Sequence, residues 1–508
     1  MACPPDPRAM LRRRVCSPFG RVFLVGLLVG VLLTAPAAVW LARRHWPLWA
    51  LQDEARVPPP PATAADLAAA APWLGRNDSL IIVYWTTWFG RPAFETSVGP
   101  SHAQVSCPAR CYVTNRRALL PYAKGVVFHM RDLDWTDLPP RDINGVQPWV
   151  VHTAEPPTLD RWPLEHPEYL RVFDYSMTYR RDADIPATYM PENLDAIVRR
   201  PLQVPLALKE TGAAVVWVQS NCGSFSHREK YMKELMALVP VHSYGHCMRT
   251  RDTWPTAREV TADGDERVRD LEVSEIFARY RFAVVAENSD CDDYITEKLL
   301  NALTAAVVPI VGGPRARYAS FLPTPDAALF MDEHTPEELA ARIEALAHND
   351  TAYLQLLSYR EGTAPDGGTP APLSAAFNAT VYGLRAGTGR CGLCMRLHED
   401  WASEKAHAAL ERGEAPAAAF GARHAYSPVR GSAVRPDRSC ITGALDPDRI
   451  RRQRHRAAPT TDLASNASPD EATGRLAGPG LLLAVAATLA LVLYAARLGS
   501  QVLWQSAR

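Results

Sequence analysis

The sequence predicts an α/β protein of two consecutive blocks, each a mainly parallel sheet with helices on both faces. Short apolar runs of strand length recur between residues 77 and 360, and helical periodicities separate the later ones. That alternation is what parallel strands joined by crossover helices require. Length agrees, since 508 residues exceed one ordinary domain at ~150 residues each. With 47% hydrophobic and 22% charged residues, a large core is available and wholesale disorder is excluded. Lys+Arg and Asp+Glu both number 55, so a general nucleic-acid binder, normally basic, is disfavoured.

The ends read as membrane segments. Val22–Ala42 is apolar and long enough to span a bilayer as a helix. Arg8, Arg12, Arg13, Arg14 and Arg21 precede it, whereas only Arg43 and Arg44 follow directly, which keeps residues 1–21 in the cytosol. Ala35-Pro36-Ala37 leaves a cleaved signal peptide as the rival reading. Leu476–Ala496, nearly all Leu, Ala and Val, reads as a second span that returns residues 497–508 to the cytosol. The body between them would be lumenal. Its eight cysteines (107, 111, 222, 247, 291, 391, 394 and 440) suit disulfides there. Cys107-x3-Cys111 and Cys391-x2-Cys394 also have zinc spacing, but no His-x3-5-His partner lies near either pair. Sequons begin at Asn77, Asn349, Asn378 and Asn466.

Within the body, residues 43–76 read as a stem, rich in Pro and Ala. Ser79–Trp85 opens the first block as a buried strand, followed by Gly125–His129 and Trp149–His152. The second block has strands at Ala214–Gln219, Phe282–Glu287 and Val307–Val311. Ser226-x-x-Glu229 reads as a capping box for a helix with Tyr231, Leu235 and Leu238 on one face. Thr335-Pro336-Glu337-Glu338 opens another helix, with proline at its first position. The blocks span 77–205 and 206–400, and 401–475 reads from composition as a poorly ordered tail.

The chemistry concentrates in Phe282–Leu299, which reads as strand, polar loop and helix, with Asp292 or Asp293 as the cap. A helix N-terminus offers free N–H groups to a phosphate, Lys298 adds a full charge, and Glu297 is placed to accept two ribose hydroxyls. The loop follows a strand, where open α/β sheets bind ligands. Val307–Pro314 ends in Gly312-Gly313, which allow close backbone approach. A plain capped helix with surface charges is the alternative.

Residues Phe282–Pro314 resemble the donor-binding signature of the α1,3-fucosyltransferases, glycosyltransferase family 10. Ala214–Cys222 with Arg228, Val241–Cys247, Val127–Leu133, His152–Pro157 and Tyr175–Ile185 follow in the family's order, so the resemblance covers about residues 79–400. Glu234-Leu235-Met236, Cys291, Cys391-x2-Cys394 and Ala425-Tyr426-Ser427-Pro428 are closer to the branch described as endoplasmic-reticulum protein O-fucosyltransferases. Tyr179-Arg180-Arg181-Asp182 is closer to the glycan-modifying branch. Ala286 stands where the family usually has an aromatic, and a C-terminal span is not typical of it.

The resemblance implies two Rossmann-like domains facing a cleft (GT-B type). It implies inverting transfer of fucose from GDP-β-L-fucose to a hydroxyl of a glycoprotein glycan, in α1,3 linkage, at the Golgi membrane; the alternatives are a protein Ser/Thr acceptor and the endoplasmic reticulum. No metal is required, a divalent cation being stimulatory at most. Glu155 is the expected base. Arg228 and Lys298 are expected on the diphosphate, Glu297 on ribose or fucose, and Asn288 and Tyr294 near the sugar. Tyr179 and Arg180 are expected to line the donor pocket from the opposite domain. An inactive binding protein and a transferase using another nucleotide sugar are the competing readings.

Overall fold

The structure, a computed structural model, describes residues 56–92, 95–100, 104–141, 146–159, 170–260, 266–364, 368–385, 387–412 and 439–457. Both expected membrane spans, the sequon at Asn466 and the Ala425-Tyr426-Ser427-Pro428 run lie outside them. Among the described residues no helix is long and apolar enough to cross a membrane.

The first sheet has eight strands. They are β1 (Ser79–Tyr84), β2 (Thr96–Gly99), β3 (Val105–Ser106), β4 (Arg110–Thr114), β5 (Ala123–His129), β6 (Trp149–Thr153), β7 (Tyr175–Thr178) and β8 (Ile185–Pro186), in the order β3-β2-β4-β1-β5-β6-β7-β8. The pairings are parallel except β2 with β4. Side chains alternate across a strand, and β1 sends Ile81 and Val83 into one core layer and Leu80, Ile82 and Tyr84 into another. A strand buried on both faces reads as the continuous apolar run seen in the sequence.

The second sheet is fully parallel, ordered β10-β9-β13-β14-β15. Its strands are β9 (Val215–Val218), β10 (Val241–Tyr244), β13 (Phe282–Ala286), β14 (Val308–Gly312) and β15 (Leu329–Phe330). Between β10 and β13, β11 (Thr256–Val260) and β12 (Glu266–Asp270) form a separate antiparallel hairpin. The helices Arg228–Leu238, Val273–Ala278, Glu297–Ala305 and Pro336–Ala347 belong to this half. The last has the expected Thr335 capping box and leading proline.

Two caps differ from expectation. Helix Arg228–Leu238 starts after His227 in a left-handed conformation and has no side-chain cap. Ser226 Oγ instead donates to the Glu287 carbonyl (2.7 Å), and Glu229 accepts from Ser224 (2.5 Å). Tyr231 and Leu235 are buried, but Leu238, in the last turn, is 49% exposed. Helix Glu297–Ala305 is capped by Thr296, not by Asp292 or Asp293, and Asp293 adopts a left-handed turn conformation.

The chain does not stay in two consecutive blocks. Helix Gly389–Glu411 returns to the first sheet, where Leu397 packs so close to Gly125 that a β-carbon there would lie 2.5 Å from it. Disulfides Cys107–Cys391 and Cys111–Cys394 fix this return across 284 and 283 residues. Both cysteines of the Cys391-x2-Cys394 pair thus have distant partners. The group Cys111, Cys394 and His398 has metal-like spacing, but its two thiols are joined to each other. Cys222, after β9, pairs with Cys247, after β10, and Cys291 pairs with Cys440. Residues 439–457, within the compositional tail, pack on the second sheet, where Leu445 and Ile450 are fully buried.

Non-reducing peptide mapping should therefore recover Cys107–Cys391 and Cys111–Cys394 linkages and no stoichiometric zinc. Breaking one by Cys394→Ser should cost about 2–5 kcal/mol of unfolding free energy, typical for a native disulfide. A Cys391–Cys394 linkage would contradict the return-helix arrangement.

Candidate active site

The loop after β13 is built around Glu287, which is 2% exposed. Its carboxylate accepts from the Thr296 backbone N–H (2.9 Å) and from Thr296 Oγ1 (2.8 Å), and it pairs with Lys298 Nζ (3.0 Å). Lys298 Nζ also donates to Thr296 Oγ1 (2.9 Å) and Glu297 Oε1 (3.1 Å). One buried carboxylate thus joins the end of the strand to the first turn of the helix. Burial pulls the Lys298 pKa down, but Glu287 and Glu297 outweigh it and raise it, so the ammonium stays charged. Burial likewise pushes Glu297 up, while Lys298 holds it below the usual range. The helix start therefore holds a charged ammonium between two carboxylates, at the end of the helix where the dipole favours an anion.

Arg228 sits beneath this loop and is 1% exposed. Its guanidinium donates to the Ala286 carbonyl (2.7 Å) and the Asn221 carbonyl (3.1 Å) and pairs with Glu229 (3.3 Å). Burial lowers its pKa. In this arrangement Arg228 ties the loop after β9 to the end of β13. Asn288 gives its backbone carbonyl to Ser226 N–H (3.0 Å), while its buried Oδ1 has no hydrogen-bond partner among the described residues.

The first sheet contributes the opposite wall. Glu155 lies half-buried in the turn after β6, its N–H donating to Thr153 Oγ1 (3.1 Å). Its charge helps raise the pKa values of Tyr189 and Tyr294, after burial in both cases, as do Glu287 and Glu297. The carboxylates of both walls therefore act on the same two phenols. Tyr294 stacks edge-on with Tyr179 (5.0 Å between centroids) and lies 6.5 Å from Tyr189, whose hydroxyl donates to the Ala154 carbonyl (2.9 Å). Among the polar links between the halves are Thr158 Oγ1 with Ser289 Oγ (2.5 Å) and Arg181 Nε with Asp293 (2.8 Å). Arg180 pairs with Asp182 (2.7 Å).

By side-chain chemistry His129 and His152 are also candidate bases, and the tryptophans candidate sugar platforms. His129 is fully buried and its Nδ1 bonds Asp132 (2.6 Å). His152 bonds Tyr84 (3.1 Å), and burial, with help from His129 and Arg390, pulls its pKa down to about 3. His152 is thus neutral and a weak base at physiological pH. Trp85, Trp135 and Trp149 are core, while Trp88 is only partly buried and stacks on both histidines (4.0 and 4.7 Å). Sequence reasoning missed Thr296, Thr158, Tyr189, Arg181 and Arg317. Only Arg181 carried a signal, as the third residue of the Tyr-Arg-Arg-Asp run.

Fold and site together define an α/β protein with two largely parallel sheets, whose clustered polar loops lie at the carboxyl edges where open α/β sheets bind ligands. Family models identify it further. The model described as glycosyltransferase family 10 (fucosyltransferase) C-term matches residues 208–413, and fucosyltransferase, N-terminal, matches residues 77–190, together more than half of the chain. The chain belongs to glycosyltransferase family 10. Among its relatives are GDP-fucose protein O-fucosyltransferase 3 of Danio rerio, 32% identical over 49% of this chain and 55% of the relative, and alpha-(1,3)-fucosyltransferase B of Drosophila melanogaster, 32% identical over 49% and 56%. The chain spans about half the length of the curated relatives it matches. A crystal structure of an alpha1,3-fucosyltransferase with GDP aligns over 67% of this chain and 95% of that one, at 15% identity and a TM-score of 0.38.

Glu287→Gln tests the lock. The variant keeps the shape but loses the charge opposing Lys298, and hydrogen bonds to charged groups contribute ~1.5–3 kcal/mol. Chemical denaturation should show stability lowered by about that amount. An unchanged midpoint and slope would mean that the carboxylate is not what closes the loop.

Proposed function

We propose that the protein is an inverting fucosyltransferase of GT-B type. It would move L-fucose from GDP-β-L-fucose to a hydroxyl of a glycoprotein glycan, most simply in α1,3 linkage. The observation that carries this reading is the family match of both halves, with the matched C-terminal half bearing a charged helix start. In the proposed mechanism the diphosphate rests on the N-terminus of helix Glu297–Ala305 and on Lys298. Glu297 takes sugar or ribose hydroxyls, with Asn288 and Tyr294 beside them and Tyr179 and Arg180 across the cleft. Arg228 supports the donor through the carbonyls it holds. Glu155, opposite the donor, removes the acceptor proton as the new glycosidic bond forms and GDP departs.

We propose no metal requirement. The loop's aspartates are committed: Asp290 and Asp292 to Arg317 (2.5 and 2.8 Å) and Asp293 to Arg181 (2.8 Å). The charge on the leaving diphosphate is met instead by Lys298 and the helix end. A lumenal, membrane-anchored placement in the Golgi, or in the endoplasmic reticulum, is part of the same proposal, supported by four disulfides. A protein Ser/Thr acceptor is the second reading, favoured by the relative named as a protein O-fucosyltransferase.

Thermal shift of the full chain with GDP, UDP, ADP and CMP tests the donor, and stabilisation by GDP alone is expected. GDP-fucose turnover on glycan and peptide panels then separates the acceptors. Lys298→Ala should weaken donor use by roughly 10- to 150-fold, the worth of a charge-assisted bond to an anion. Glu155→Gln should keep GDP binding and lose transfer by ~10²–10⁴-fold. Turnover near normal in that variant would move the base elsewhere.

A further inference from the structure

Residues 439–457 lie beyond residue 413, where the family match ends, yet they touch three segments around the donor loop. The first is the donor loop itself. Cys440 is disulfide-bonded to Cys291, Ile441 N–H donates to the Asp290 carbonyl (2.8 Å), and Ser439 Oγ accepts from Asp292 N–H (2.8 Å). The second is the turn leading to Arg228, where Gly443 and Leu445 N–H groups donate to the Phe225 and Ser226 carbonyls (2.7 and 2.8 Å). The third is the glycine turn after β14. A β-carbon on Gly312 would lie 2.7 Å from Leu445 Cδ1, and Arg317 donates to the Ser439 carbonyl (2.8 Å) while pairing with Asp290 and Asp292.

Helix Pro447–Ala457 anchors the far end. Arg451 pairs with Glu337 (2.7 Å) and Arg454 with Glu338 (3.0 Å), on the first turn of helix Pro336–Ala347. The segment is therefore tethered on both sides of the loop it crosses. A surface cap would need only the apolar contacts of Leu445 and Ile450. The backbone bonds to Asp290, Phe225 and Ser226, and the Arg317 bridge, instead fix the conformation of loops that the donor must find already formed.

We propose that residues 439–446 are a positioning strap of the donor site, with Arg317 as the side chain that couples it to the loop. This rests on the reading of that site as the GDP-fucose site. The strap preorganises the loop, so less ordering is left to accompany donor binding. Its hydrogen bonds and disulfide are to the loops and not to the residues assigned to the sugar or to the base, so its loss should act on donor affinity and not on the chemical step.

The test compares the full-length wild type, Cys440→Ser and Arg317→Gln by GDP titration calorimetry and by donor kinetics, below each variant's melting temperature. Cys440→Ser should weaken GDP about tenfold, equal to ~1.4 kcal/mol, and raise the donor KM similarly, with kcat within about twofold. Arg317→Gln should do the same, and the double variant should lose less than the product of the two, because both act through one element. Unchanged GDP affinity in both variants, or a fall in kcat with KM unchanged, overturns the strap. If Cys440→Ser does not fold, Arg317→Gln alone decides by the same split. A wild type that fails to bind GDP overturns the donor reading, and the strap's assigned role with it.

Discussion

The site depends on one buried carboxylate. Glu287 directly follows the central strand of a parallel sheet and is almost without solvent contact. A carboxylate there is tolerated only if hydrogen-bonded and paired. Thr296 and Lys298 supply those partners. Because both lie in the first turn of the following helix, satisfying Glu287 also fixes where that helix begins. It places Thr296 at the cap and directs Lys298 back over the helix N-terminus. Asp292 and Asp293 are released from capping and are taken by arginines, one from the same half and one from the other.

Around that lock the chain is arranged as two loops-and-sheet halves that exchange covering elements. The long helix from Gly389 crosses back to shield the first sheet, held by two disulfides to neighbouring cysteines at the β3–β4 corner. Residues 439–457 then return to the second sheet through a third long-range disulfide. Each such link shortens the unfolded chain's accessible loops by well over a hundred residues. The halves are further held by Thr158–Ser289 and Arg181–Asp293, both at the rim of the candidate site. Tyr179, Tyr189 and Tyr294 pack in the same seam, so the wall bearing Glu155 and the wall bearing Lys298 meet through an aromatic layer.

Much of this was legible in the sequence because it is local. Doubly buried strands read as unbroken apolar runs, the Thr335-Pro336-Glu337-Glu338 cap read itself, and 282–299 read as the strand, loop and helix that the structure has. The order of several short motifs was enough to indicate the family. What the sequence did not determine depends on partners far apart in the chain. Ser226 looked like a cap, but the Glu287 carbonyl, 61 residues on, takes its hydroxyl. Arg228 is expected on the diphosphate from its sequence context, and only tertiary packing shows that it also holds two backbone carbonyls. The 401–475 stretch looked structureless because Ala, Arg and Pro dominate its composition. Yet Leu445, Ile450 and Cys440 find burial and a covalent partner only once the second sheet exists. Composition and periodicity report what a segment buries against itself; which distant carbonyl, carboxylate or thiol satisfies a residue is set by the folded chain, and here those long-range choices decide the shape of the site.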